Sequence, residues 1–348
     1  MIGSLYTQDQ YQEFTLPYDK GKIMQLEKLT DQILQGYLIN RDEALKLVEY
    51  PLEQLRISAK KITGHFFKEK IELCCISNGK CGNCTENCKF CSQSRRFDTK
   101  VGISRLKTVD EFFKEAKYNN DHGVHRFSIV TSGLRLPPNE IREVGKAYKK
   151  ISSELKIRCC GSLGLINADE MRYLKSCGLT RYHNNLETSK RFFPQVCTTH
   201  TYDQKLQTLS AAHDAGLEVC SGCIIGMGET FEDRCDIAFT LRSVGAVSTP
   251  FNILNPIKGT PFEDRPLLGE EEIEHTIALF RHIMPRTVLR TAGGRLLIKK
   301  FYKKLFDFGI NAEITGDMLT TEGLSIQQDI SDAIASKRIV SRIDSPEH

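Results

Sequence analysis

From residue 71 onward the sequence alternates short apolar runs with longer stretches of helical periodicity. That alternation constrains the fold most, because strands joined one to the next through helices pair in parallel and are covered on both faces. Strand candidates lie near 71–77, 125–131, 157–162, 180–187, 217–224, 249–255, 287–292 and 310–315. Helical segments fill the gaps, for example Val109 to Lys117, Asn139 to Ser152, Ala168 to Ser176, Tyr202 to Ala215, Phe231 to Val244, Glu270 to Ile283 and Leu296 to Phe308. Eight such units close into a barrel that takes about 250 residues. The expected fold class is therefore α/β, a (β/α)8 TIM-type barrel with an N-terminal helical extension.

Ahead of the barrel, residues 1–22 carry no clear periodicity and read as an irregular arm. Ile23 to Gln35 is amphipathic, Asn40-Arg41-Asp42-Glu43 starts a second helix, and Pro51 opens a third from a first-turn position that tolerates proline. The division expected is 1–68 for the arm and its helices, 69–325 for the barrel and 326–348 for a C-terminal tail.

Composition narrows the class. A net charge of +4 over 348 residues, with no long basic run, argues against a nucleic-acid partner. Lys299-Lys300 and Lys303-Lys304 read as a solvated helix face. No apolar run reaches membrane length and the first residues do not open a signal peptide, so a cytoplasmic protein without membrane contact is expected. Thirteen cysteines in such a chain point to metal or redox chemistry rather than to disulfides.

Three of them, Cys84, Cys88 and Cys91, are spaced C-x3-C-x2-C, with Phe90 just before the last. Three thiolates hold three irons of a [4Fe–4S] cube, where ferredoxin-type clusters use four. The fourth iron can then take a substrate chelate, as a catalytic zinc keeps one position free. The spacing resembles the signature of the radical S-adenosylmethionine (SAM) enzymes. Two other readings stand beside it. Cys81 turns the segment into two C-x2-C pairs, but zinc ribbons put about 15–20 residues between their pairs. An electron carrier closed by Cys81 is the other, although Ser92 follows Cys91 where ferredoxins carry proline.

Because neighbours on a strand face opposite ways, the apolar positions sort the polar ones. Phe127 and Ile129 suit the helix side and leave Arg126 and Ser128 inward. The same count puts Arg158 and Cys160 inward, then Arg181, His183, Asn185 and Glu187, then Cys220, Asn252 and Arg290. A polar row of this kind reads as a ligand site. Two inward thiols beside an arginine suit a second iron–sulfur cluster, whereas Cys74, Cys75, Cys159, Cys177, Cys197 and Cys235 read as small buried hydrophobes. The turn Gly226-Met227-Gly228-Glu229-Thr230, between a strand and a helix, offers close backbone approach and N–H groups to a ligand.

From about residue 40 to about residue 325 the chain resembles the biotin synthase family of radical SAM enzymes. The resemblance rests on Asn78 to Ser94 around the cysteine motif, Asn184-Asn185-Leu186-Glu187-Thr188-Ser189, Cys220-Ser221-Gly222, Gly226 to Thr230, and Lys258-Gly259-Thr260-Pro261. It implies a homodimeric (β/α)8 barrel that converts dethiobiotin to biotin, drawing on a one-electron donor such as flavodoxin or ferredoxin. Cys84, Cys88 and Cys91 would bind the SAM cluster, Asn185 and Asn252 would contact dethiobiotin or SAM, and Glu187 would sit at the SAM ribose. Phe90, Gly226 and Gly228 are expected in the cofactor site. Lys205 falls where many members carry arginine for the SAM carboxylate, keeping the charge without the fork. The auxiliary cluster, [2Fe–2S] by resemblance, is usually held by three cysteines and an arginine, and Cys160, Cys220 and Arg290 match three of those positions. The fourth is Ser128, a harder ligand than thiolate. Either it ligates weakly, or another thiol such as Cys223 substitutes, or the cluster is of another type. Another radical SAM enzyme, a metallocofactor maturase or a lyase, is the alternative function, and a non-catalytic metal-binding protein the second.

Overall fold

The computed structural model describes residues 20–321 and 323–344. Of the expected arm, residues 1–19 lie outside the described residues, and Lys20 already begins helix α1 (Lys20–Leu34). Asn40 caps α2 (Arg41–Leu45) in a reciprocal box with Glu43. Pro51 is the last extended residue before α3 (Leu52–Phe67), at ψ 135°, so it stands just outside the helix rather than in its first turn.

The barrel follows as β1 (Lys70–Lys80), α4 (Val109–Asp121), β2 (Arg126–Thr131), α5 (Pro138–Glu154), β3 (Arg158–Ser162), α6 (Ala168–Ser176) and β4 (Leu179–His183). A short α7 (Phe193–Val196) and α8 (Tyr202–Asp214) lead to β5 (Glu218–Cys220) and β6 (Cys223–Ile225). Then come α9 (Phe231–Ser243), β7 (Ala246–Ile253), α10 (Glu270–Ile283), β8 (Val288–Thr291), α11 (Leu305–Phe308), β9 (Ala312–Thr315), α12 (Ile326–Ala335) and β10 (Ile339–Val340). Every pairing between these strands is parallel, and β9 pairs with β1 to close the ring. Thr108, Asn167, Thr201 and Thr230 each start a helix with a capping box, so most helix starts agree with the sequence pattern.

Three expectations need correction. The strand read at 217–224 is two short pieces, β5 and β6, because Gly222 presses against the Pro250 carbonyl so closely that a Cβ there would lie 1.9 Å from its oxygen. The strand read at 180–187 ends at His183, after which the chain leaves the ladder and Glu187 turns left-handed at φ 68°. The helix read at 296–308 is broken into 3-10 turns at Arg295–Ile298 and Tyr302–Lys304 before α11. Gly294 enters it left-handed at φ 85°, and Arg295 is drawn aside to Asp329 at 2.6 Å and Glu313 at 2.9 Å. Residues 326–344 pack back on the barrel, with β10 adding to the first residues of β1.

Outside the ring, Leu73, Phe127, Ile129, Leu179, Val219 and Leu289 share one apolar core with Phe112, Tyr148, Leu209 and Phe280 from the helices. Inside, the lower lumen is ionic. Glu72, with no exposed surface, receives Arg290 at 2.8 Å, Arg126 at 3.0 Å and Arg181 at 3.7 Å. Glu218 receives Arg181 at 2.8 Å and Arg126 at 3.3 Å. Burial opposes ionisation of Glu72, yet the three guanidinium groups hold its carboxyl down at about 2.

Glu72→Gln leaves three buried cations short of their shared anion, so it is expected to cost about 3–5 kcal/mol in denaturant unfolding. Glu274 on α10 has the opposite sign: burial raises its carboxyl to about 7. Its stabilisation is complete below the unfolded value and lost as pH rises through about 7. Glu274→Gln should therefore raise the melting temperature at pH 8 and leave it unchanged at pH 4.5.

Candidate active site

The loop from β1 to α4 carries the cysteine motif at the C-terminal end of the first strand, the face on which such barrels build their sites. Internal bonds fold it: the Cys84 amide donates to the Gln93 carbonyl at 3.0 Å, Arg95 N to Cys84 O at 2.9 Å, and Cys91 N to Cys88 O at 2.9 Å. The Ser94 hydroxyl donates to the Glu86 carbonyl at 2.5 Å. The loop is then tied to the chain after α7, with Lys89 N donating to Val196 O and Asn87 Oδ1 accepting from the Thr198 and Thr199 amides. Cys84, Cys88 and Cys91 all face one cavity of about 420 Å³ at the barrel mouth, with Phe90 among its walls. Cys81 does not line it; its backbone exchanges hydrogen bonds with Ser104 instead.

The cavity descends into the lumen and collects residues that strand parity had turned inward. Ser128, Cys160, Arg181, His183, Asn185, Glu187, Cys220, Asn252 and Arg290 all line it. Asn185 and Glu187 arrive there from the loop after β4, held by Leu186 N and Glu187 N on the Gly222 carbonyl. Asn185 Oδ1 accepts from Gly222 N at 3.0 Å, and Asn252 bridges Cys223 O and Gly293 N. Lys205, buried on α8, donates to the Asn185 carbonyl at 2.9 Å and stands 3.8 Å from Glu187. Burial pushes His183 down to about 4, so its ring is neutral beside the Cys220 sulfur at 3.4 Å.

Three residues weighed from the sequence do not join this wall. Gly226 and Gly228 lie outside the cavity lining, and the Gly226 and Met227 amides are taken up by the Glu229 carboxylate at 2.8 Å each, so they are not on offer to a ligand. Cys223 is fully buried in the apolar core, on the helix side that strand parity assigned to it.

Other residues at or beside the cavity escaped sequence reasoning. Cys74 lines the lumen although it reads as a core cysteine. Cys197 and His200 stand beside Cys88, their ligand atoms all within 4.8 Å of one another, and the His200 ring contacts Glu86 at 2.8 Å and Cys197 at 3.3 Å. Burial opposes charge on His200, but the bonds to Cys197 and Glu86 outweigh it and raise its pKa. The Cys88–Cys197 contact raises the Cys88 thiol and lowers that of Cys197, whose sulfur also meets His200 and Thr199. Burial raises Cys91 to about 11. No periodicity links residue 88 to residues 197 and 200, so these contacts have no signal in the sequence.

The donor set suits iron–sulfur groups. All thirteen cysteines are free thiols, three gather at the cavity mouth, and below them Arg126 leaves two buried guanidinium nitrogens and Arg181 one without a hydrogen-bond partner. Such positive charge offsets that of thiolates.

Residues 80–241 match the Radical SAM superfamily, and residues 250–336 match the Biotin and Thiamin Synthesis associated domain. Among solved structures the chain is similar to methylornithine synthase (PylB), at TM-score 0.77 and 17% identity over 90% of this chain and 97% of that one. It is also similar to HydG, a maturase of the [FeFe]-hydrogenase, at TM-score 0.79 and 16% identity over 94% and 80%. Barrel and motif together define a radical SAM enzyme. Biotin synthase of Clostridium botulinum is 48% identical over 87% of this chain and 95% of its own length, and that of Brachyspira hyodysenteriae 46% over 88% and 92%. The chain belongs to the biotin synthase family. A [4Fe–4S] cluster and SAM are the cofactors that membership brings. Among the described residues no helix is long and apolar enough to cross a membrane.

Truncating Asn252→Ala removes the side-chain partner of the Gly293 amide at the cavity rim. A loss of about 1–3 kcal/mol is expected if that amide stays buried, read by thermal unfolding of the metal-free chain.

Proposed function

We propose that this chain converts dethiobiotin to biotin, with residues 69–325 as the catalytic barrel. The observation that carries the reading is the single cavity that joins the motif thiols at its mouth to Cys160, Cys220 and Arg290 in its lumen. Cys84, Cys88 and Cys91 would hold the [4Fe–4S] cluster, which, reduced by an external donor such as flavodoxin or ferredoxin, would supply the electron for reductive cleavage of SAM to a hydrogen-abstracting 5′-deoxyadenosyl radical.

The chain's own residues bind, orient and exclude. Lys205 presents a buried ammonium for the SAM carboxylate, Glu187 is poised for the ribose, and Phe90 walls the cofactor side. Asn185 and Asn252, both pinned through their side-chain amides to the backbone, keep their orientation for dethiobiotin or SAM. Gly226 and Gly228 act through the Glu229-clamped turn, which sets the end of β6. Cys160, Cys220 and Arg290 would hold the auxiliary cluster that would supply the sulfur, with Ser128 facing the same lumen. Apolar walls at Ile76, Val130, Ile224 and Leu254 keep water and stray hydrogen donors from a radical. The chain acts as a cytoplasmic homodimer.

Anaerobically reconstituted protein, given SAM, a strong reductant and dethiobiotin, should yield biotin with about two equivalents of 5′-deoxyadenosine, one per hydrogen removed. Abundant 5′-deoxyadenosine without biotin would discard the substrate. Lys205→Met should weaken SAM binding by about tenfold or more in equilibrium dialysis, the worth of a charge-assisted hydrogen bond, and Lys205→Arg should restore it.

A further inference from the structure

Nine of the free cysteines are buried, and the structure divides them sharply. Cys75, Cys159, Cys177, Cys197, Cys223 and Cys235 are packed within the hydrophobic core. Cys74, Cys160 and Cys220 are not; they line the lumen. The thiol missing at Ser128 therefore has a counterpart one strand away, on β1.

The ionic layer fixes its height. Glu72 and Glu218 both receive Arg126 and Arg181, which ties β1 to β5 across the lumen at one level. Cys74 follows Glu72 by two residues and is opposite Arg126 in register, and Cys220 follows Glu218 by two, so both sulfurs face the lumen beside the same arginines. Cys160 is opposite Arg181 in register and lines the same lumen from β3. Arg290 reaches β1 through Glu72 at 2.8 Å, directly below Cys74. Ser128 pairs in register with Ile76 and Cys160, beside the thiols, and offers a hard oxygen where a sulfur ligand is at hand.

We propose that Cys74 is the third thiolate of the auxiliary iron–sulfur cluster, with Cys160, Cys220 and Arg290, and that Ser128 is not a ligand. The proposal rests on the reading that this lumen holds such a cluster. Cys223 is excluded as the substitute by its place in the core, on the far side of the sheet from the lumen.

The test uses the full chain carrying Cys84→Ala, Cys88→Ala and Cys91→Ala, so that iron and sulfide bound after anaerobic reconstitution report the lumen alone. That background should retain iron. Adding Cys74→Ala should lower bound iron by about tenfold or more, as loss of a ligand does, while adding Ser128→Ala, or Cys75→Ala from the outward face, should leave it unchanged. Cys74→Ser, close in volume, should keep the fold by circular dichroism yet shift the iron–sulfur bands in the resonance Raman spectrum; it decides the matter if the alanine variant does not fold. Iron retained at full level with unshifted bands in the Cys74 variants, or lost on Ser128→Ala, overturns the proposal. A background that binds no iron at all removes the auxiliary cluster itself, a different failure with a different signature.

Discussion

One buried carboxylate organises the interior of this barrel. Glu72 draws Arg126, Arg181 and Arg290 from β2, β4 and β8 onto β1, and Glu218 repeats part of the pattern from β5. Charges with so little access to water are tolerated only when paired, and here each arginine has a carboxylate within reach. Cys74 and Cys220, two residues beyond Glu72 and Glu218, are thereby held at this layer and face the lumen that Cys160 also lines.

Positive charge left over in that layer has a chemical consequence. Three guanidinium groups against the Glu72 and Glu218 carboxylates favour anionic partners above them, and thiolates are such partners. The barrel floor thus serves stability and ligand chemistry with the same residues. At the mouth the arrangement differs: there a loop, closed by its own backbone bonds and tied to the chain near residue 198, presents thiols without a rigid strand beneath them.

Fold and motif were legible for local reasons. Capping residues, the switch between helical and strand periodicity, and C-x3-C-x2-C spacing are written in short windows of sequence. Inward parity also carried far, assigning Arg126, Ser128, Cys160, His183, Cys220 and Arg290 to the lumen they line. It failed where a backbone left its ladder. Gly222 breaks a strand because the Pro250 carbonyl sits against it, and the turns after Gly294 loosen to let Arg295 reach Glu313 and Asp329. The turn amides near Gly226 are taken by the Glu229 carboxylate, a contact that the glycine pattern of the turn does not signal.

Family membership, barrel class and the identity of the motif thiols follow from the sequence by itself, since each depends on residues near one another in the chain. Which thiols share a space does not. Cys74 and Cys75 are adjacent and chemically identical, and only the closure of β1 against β2 and β9 turns one toward the lumen and the other into the core. Cys88, Cys197 and His200 meet across more than a hundred residues because two loops are laced together at Asn87. Contacts of that range are decided by tertiary packing, where the cost of closing the chain is offset by burial that no local pattern records.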